Sequence, residues 1–178
     1  MRTDTEQHAR FIGLVQAHQG AIRKVVLLYA RDLHDREELL QDIMLQLWRS
    51  FGAFRGESGF STFLYRVALN TALMRLRRAY RRPEVAAGRT VEDAPAPDAA
   101  RDDEEVERLH DAIRQLRPID RAIVLLVLEE KSYAEIAAVT GLSIGNVSVR
   151  LVRSKEQLRR LLGAEADARK GTPCSTKT

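Results

Sequence analysis

A single cysteine, Cys174, stands in a chain of 178 residues. One thiol closes no intramolecular disulfide and builds no cysteine zinc site, which suits a reducing compartment. Five prolines and ten glycines are few for this length, and that disfavours an all-β fold with many tight turns. No apolar run approaches the ~18 residues of a membrane span. The longest, AIVLLVL at 122–128, is far too short. The N-terminus lacks a charged-then-apolar leader pattern. The expectation is a soluble cytoplasmic protein with no membrane insertion. Catalytic signatures are missing as well. His8, His18, His34 and His110 show no metal-type pairing with carboxylates or thiols. RGESG has the wrong glycines for a phosphate-binding or dinucleotide loop, and GESGF lacks the last glycine of a serine-nucleophile motif. No catalytic residue, metal or cofactor is expected.

What the chain does have is segregated charge. Residues 1–82 carry 14 Lys and Arg against 8 Asp and Glu, net +6. Residues 83–107 carry 2 against 9, net −7, and residues 108–162 carry 10 against 6, net +4. Two basic blocks thus flank an acidic stretch that holds three of the five prolines and no apolar periodicity, which reads as a flexible linker. The overall +4 is compatible with an acidic partner without establishing one.

Apolar spacing in both blocks follows the helical period. Phe11, Leu14, Val15 and His18 share one face, and Ile22, Val25, Val26 and Tyr29 another. Leu39, Leu40, Ile43, Met44, Leu47 and Trp48 make a wide stripe, and Phe63, Leu64, Val67, Leu69 and Leu73 a fourth helix. Beyond the linker, Val106, Leu109, Ile113 and Leu116 predict a helix that stops before Pro118, which can open the next. No strand alternation is present. The predicted fold is all-α: a four-helix module over 8–82, a linker over 83–103, a second helical module over 104–162 and a disordered tail over 163–178.

SYAEIAAVTGLSIGNVSVRLVRSK, residues 132–155, carries a sharper pattern. Ser132 and Glu135 have capping-box spacing. Gly141 can end the first short helix at positive φ, and Ser143 can cap a second. Ile136, Leu142, Val147 and Leu151 supply the seam between them. These are the marks of a helix-turn-helix. Ser143, Asn146, Val149, Arg150 and Arg153 face outward: short side chains lead, and arginines trail. That suits entry into a major groove, though a helical hairpin with a solvated basic face would show the same spacing.

The first block holds two further constellations. Glu38, Gln41, Asp42 and Leu45 fall at i, i+3, i+4 and i+7 on one helix face, beside Leu40, Met44 and Trp48. An acidic strip next to large apolar groups suits docking on a basic helix, and equally a solvated flank. Four of the five phenylalanines then cluster at 51, 54, 60 and 63 around the loop Arg55-Gly56-Glu57-Ser58-Gly59. Aromatics beside cations and mobile backbone suit capture of unpaired bases. Phe51, Phe54 and Phe63 are expected in the core.

LSIGNVSVRLVRSKEQLRRLL and the preceding LRPIDRAIVLLVLEEKSYAEIAAVTG resemble the fourth conserved region of bacterial RNA polymerase sigma factors of the extracytoplasmic-function group. EELLQDIMLQLWRSFGAFRGESGFSTFLYRVALNTALMRLRR resembles the second conserved region of the same family. Where that family usually has Gly-Thr-Val, then a basic residue and Ser before Arg, this chain has Gly145-Asn146-Val147-Ser148-Val149-Arg150. The resemblance implies a non-catalytic specificity subunit with core RNA polymerase, promoter DNA and an anti-sigma factor as partners. It makes Glu38, Gln41, Asp42 and Leu45 core-polymerase contacts. Arg55, Gly56, Glu57, Ser58, Phe60, Asn70, Arg77 and Arg78 become contacts to a melted, single-stranded −10 element. Arg75, Arg81 and Arg82 add to the cationic end of that helix. Ser143, Asn146, Ser148, Val149, Arg150, Val152 and Arg153 become contacts to a double-stranded −35 element. A DNA-binding regulator acting without polymerase, and an adaptor that has lost promoter use, are the alternatives.

Overall fold

The computed structural model describes residues 2–56, 59–81 and 103–170, and every regular element among them is a helix. The first block forms α1 (Arg2–Ala17), α2 (Gln19–Tyr29), α3 (Leu33–Phe51) and α4 (Phe60–Arg81). The second forms α5 (Asp103–Arg114), α6 (Pro118–Leu128), α7 (Tyr133–Thr140) and α8 (Ile144–Lys170). The proposed linker lies outside the described residues save for Asp103. α8 runs past the expected boundary at Leu162 to Lys170, through Ala164, Ala166 and Ala168, which are strong helix formers.

Local chemistry accounts for the helix ends. Asp32 caps α3 by accepting from the Asp35 N–H at 2.7 Å. Pro118 opens α6, where its missing N–H has no helical partner to lose. Ser132 and Glu135 form a complete capping box at the start of α7, and Gly141 ends it at φ 73°. α6 closes without a glycine. Glu130 takes φ 56°, and the Lys131 N–H donates to the Leu126 carbonyl at 3.0 Å to finish the turn.

The apolar faces meet in one buried cluster that runs through both blocks. Ile22, Val25, Leu39, Ile43, Leu47, Leu64 and Leu69 belong to it from the first, and Ile113, Leu116, Ile123, Leu126, Ile136 and Val147 from the second. The expected apolar positions are therefore largely its members. The blocks do not merely share a chain; they pack on each other. α4 lies against α7 and α2 against α5. Polar contacts close the seam. The Tyr29 hydroxyl donates to the Pro118 carbonyl at 2.6 Å, and Arg114 Nη2 donates to the Leu27 carbonyl at 2.9 Å. Burial, first of all, pushes the Tyr29 phenol well up, so it remains a donor. Lys24 pairs with Glu129, and the Thr62 hydroxyl donates to Glu135 Oε1 at 3.3 Å.

Candidate nucleic-acid interface

The turn after α7 sets the recognition surface. Gly141, Leu142 and Ser143 swing the chain so that α7 and α8 lie at 100°. No single helix among the described residues is long and apolar enough to cross a membrane, and this bent pair is the helix-turn-helix itself. Ile136, Val139, Val147 and Leu151 fill its inner seam. Ser143 Oγ accepts from the Asn146 N–H at 3.3 Å, so the hydroxyl predicted to face DNA also caps α8. Asn146, Val149, Val152 and Arg153 are exposed on the outer face, and Ser148 is half-buried.

Arg150 behaves differently from Arg153. Its Nη1 donates to Asp120 Oδ1 at 2.8 Å, from α8 across to the first turn of α6. Asp120 is a residue that sequence reasoning missed. Arg117, Asp120, Asn146, Val149, Arg150, Arg153, Ser154 and Gln157 line one polar cleft of about 360 Å³ beside the leading end of α8. The guanidinium is thus oriented before any ligand arrives, and Arg153 is the cation that stands outward.

In the first block, the loop between α3 and α4 turns at Gly56, whose φ of 79° is left-handed. Arg55 and Gly56 are exposed; Glu57 and Ser58 lie outside the described residues. Phe60, predicted to contact the −10 strand, is buried. It is only 8% exposed, with its ring against Phe54 at 5.5 Å and against His18 at 5.2 Å. Phe51, Phe54 and Phe63 complete the same aromatic cluster, as expected of core residues. The ring is held because α4 starts at Phe60 and its first turn faces the core. Phe60 is therefore a buried member of the aromatic cluster at the start of α4. His18 is structural too, with Nδ1 2.9 Å from the Leu14 carbonyl. On the open side of α4, Asn70, Arg77 and Arg78 are exposed.

Arg75 does not join those free cations. It turns from α4 to α3, where it meets Asp35, Glu38 and Asp42. Asp35 was not visible as special in the sequence, although its place one turn after the cap Asp32 was a signal. On the same helix, Gln41, Asp42, Leu40 and Leu45 are exposed, so the acidic strip and its apolar neighbours are available to a partner. No cluster of His, Cys, Asp and Glu among the described residues could hold a metal ion.

Comparison with known proteins covers both blocks. The family model described as Sigma-70 region 2 matches residues 14–82, and that described as Sigma-70, region 4 matches residues 106–158. The RNA polymerase sigma-H factor of Pseudomonas aeruginosa is 31% identical over 162 residues, covering 84% of this chain and 84% of that protein. The ECF RNA polymerase sigma factor SigM of Mycobacterium tuberculosis is 32% identical over 155 residues, covering 86% and 77%. Among solved structures, the sigma factor RpoE in complex with the anti-sigma factor NepR from Bartonella quintana superposes with a TM-score of 0.72 at 22% identity, covering 86% of this chain and 97% of that one. At that identity the likeness is one of fold. CnrH in complex with the cytosolic domain of CnrY superposes with a TM-score of 0.64 at 25% identity, covering 88% and 90%.

Proposed function

The chain belongs to the extracytoplasmic-function group of the sigma-70 family, the RNA polymerase sigma factors that direct promoter recognition and transcription initiation, and we propose that it grips a promoter at two points. The first module, taken as residues 8–82, docks on core polymerase through Glu38, Gln41, Asp42 and Leu45 of α3. It then takes the melted −10 strand along Arg55, Gly56, Glu57 and Ser58, with Phe60 as the floor of that loop, Asn70 bonding base edges and Arg77 and Arg78 on phosphates. The second module, residues 104–162, reads the −35 duplex with α8. Ser143, Asn146, Ser148, Val149 and Val152 approach the bases, Arg150 is aimed by Asp120, and Arg153 reaches a base or phosphate. Tethering the modules makes each weak contact strengthen the other. The chain itself does no chemistry in this reading; nucleotide addition belongs to the polymerase, in the cytoplasm.

One observation carries the proposal. A capped helix-turn-helix with an exposed basic reading face stands in the same chain as an exposed acidic-apolar strip on α3. The packing of α7 against α4 adds a condition: the modules separate when both promoter elements are held. One solved structure of this fold holds a sigma factor with the anti-sigma factor NepR, and another holds CnrH with the cytosolic domain of CnrY. A partner of that class for this chain would keep the modules together.

Reconstitution with purified core polymerase on a promoter library tests the whole reading. Core-dependent transcription from a shared −35 and −10 pair is the expected result. Tight DNA binding by the protein alone, with no response to core polymerase, would favour a regulator instead.

A further inference from the structure

Three carboxylates of α3 converge on one guanidinium of α4. Arg75 Nε and Nη2 donate to Asp35 Oδ1 at 3.0 and 2.7 Å. Nη2 also donates to Glu38 Oε2, and Nη1 donates to Asp42 Oδ2 at 3.0 Å. Asp35, Glu38 and Asp42 fall at i, i+3 and i+7, so they share a helix face. They differ in depth. The Asp35 side chain is 6% exposed, while Glu38 and Asp42 are 41% and 52% exposed. The second Asp35 oxygen accepts from the Arg31 N–H at 2.9 Å.

This arrangement decides where Arg75 spends its charge. A buried carboxylate stripped of its cation is costly, so Asp35 anchors the guanidinium. An anchored arginine is not a free cation for DNA phosphate. Its remaining N–H groups reach outward to the two exposed carboxylates. Without it, three negative groups on one face would repel one another into scattered rotamers. A lysine at this position would keep one positive charge and lose the planar fork that serves three acceptors.

We propose that Arg75 is a positioning residue for polymerase docking: it fixes Glu38 and Asp42 in the geometry that a cationic helix of the core enzyme meets. The inference rests on the assignment of Glu38, Gln41 and Asp42 as docking residues. Preset carboxylates lose less side-chain freedom on binding, which raises affinity without adding a contact. The same guanidinium ties the docking helix to the −10 helix, so a partner seated on α3 is braced from behind by α4.

The test uses the full-length chain and purified core polymerase, with affinity read by competition against labelled wild type. Arg75→Lys keeps the charge beside Asp35 and should fold. Its affinity for core should fall about tenfold, the equivalent of one lost charge-assisted hydrogen bond. At saturating protein, binding of a −10 single strand by the assembled holoenzyme should match wild type. If Arg75→Lys fails to fold, the pair Arg75→Gln with Asp35→Asn removes both buried charges and is expected to show the same split. Core affinity equal to or above wild type in the folded variant overturns the inference. So does a defect confined to the −10 strand at full occupancy, which would make Arg75 a phosphate contact. Asp42→Arg separates this from the underlying reading. Unchanged core affinity in Asp42→Arg removes the docking assignment itself, whereas its loss beside an unaffected Arg75→Lys removes only the role of Arg75.

Discussion

Lys24 on α2 and Glu129 at the end of α6 form an ion pair between the two modules, 105 positions apart in the chain. The buried Tyr65 hydroxyl of α4 faces the same carboxylate, short of good hydrogen-bond geometry, and burial first and Glu129 second push its pKa up. Residues of α2, of α4 and of the C-cap of α6 therefore meet where the modules join. Lys24 is half exposed, so its pair with Glu129 is screened and contributes under about 1 kcal/mol.

Opening of the modules is the first expected consequence. Tyr29→Phe removes the bond to the Pro118 carbonyl and leaves that carbonyl without its partner; Glu129→Ala removes the ion pair. Together they should cost the closed arrangement roughly 1–2 kcal/mol. Labels placed on α1 and α8 should report a longer mean separation by energy transfer, with helix content unchanged. An unaltered distance distribution would mean that the apolar contacts alone hold the modules.

Acid should act on the same seam. Burial raises the Glu129 pKa, but its hydrogen bonds and charges, with Lys24 foremost, outweigh burial and leave it below the ordinary value. Separated modules return the group to its ordinary value. Its contribution to closure is therefore complete above that value and is lost as pH falls through the depressed one. Energy transfer should decline with pH in that acid range, and Glu129→Gln should flatten the decline. The same acid dependence in Glu129→Gln would assign it to other carboxylates.

The two arginines of the recognition helix should separate in kind. Arg153 is exposed, while Arg150 is held by Asp120. Arg153→Ala should weaken −35-dependent transcription, and equal loss on scrambled −35 DNA would mark a phosphate contact. Asp120→Ala should free Arg150 and blur base preference by about 1–3 kcal/mol at one position. Binding across single-base −35 variants reads both effects.

Gly141→Ala tests the turn. No atom stands within 4 Å of where its Cβ would sit, so crowding is not the issue. The φ of 73° is, and an L-residue there costs roughly 1–2 kcal/mol. Thermal unfolding should show a lower midpoint, together with weaker −35 binding. An unchanged midpoint would show that the turn adopts another conformation.

Features that lie within one or two helical turns were legible from residue order. The Ser132 and Glu135 capping box, the left-handed Gly141, Pro118 at the start of α6 and the buried stripe of Leu39, Ile43 and Leu47 all appear as expected. Each depends on spacing along a helix whose period is known in advance. Aromatic clustering in the chain does not say which rings are buried, and Phe60 is among the buried ones. A run of arginines looks uniform in the chain, yet Arg75 turns to α3 while Arg77 and Arg78 are exposed.

Residue order alone determined an all-helical chain in two modules, the family resemblance and the side chains that head α8 and line α3. Only tertiary packing decided the partners: Asp35 for Arg75 at 40 positions' separation, Asp120 for Arg150 at 30, and Glu129 for Lys24 at 105. Helix formation is governed by local backbone geometry and the apolar period. The pairing of distant charges is governed by how helices cross, which depends on every side chain in the shared core at once.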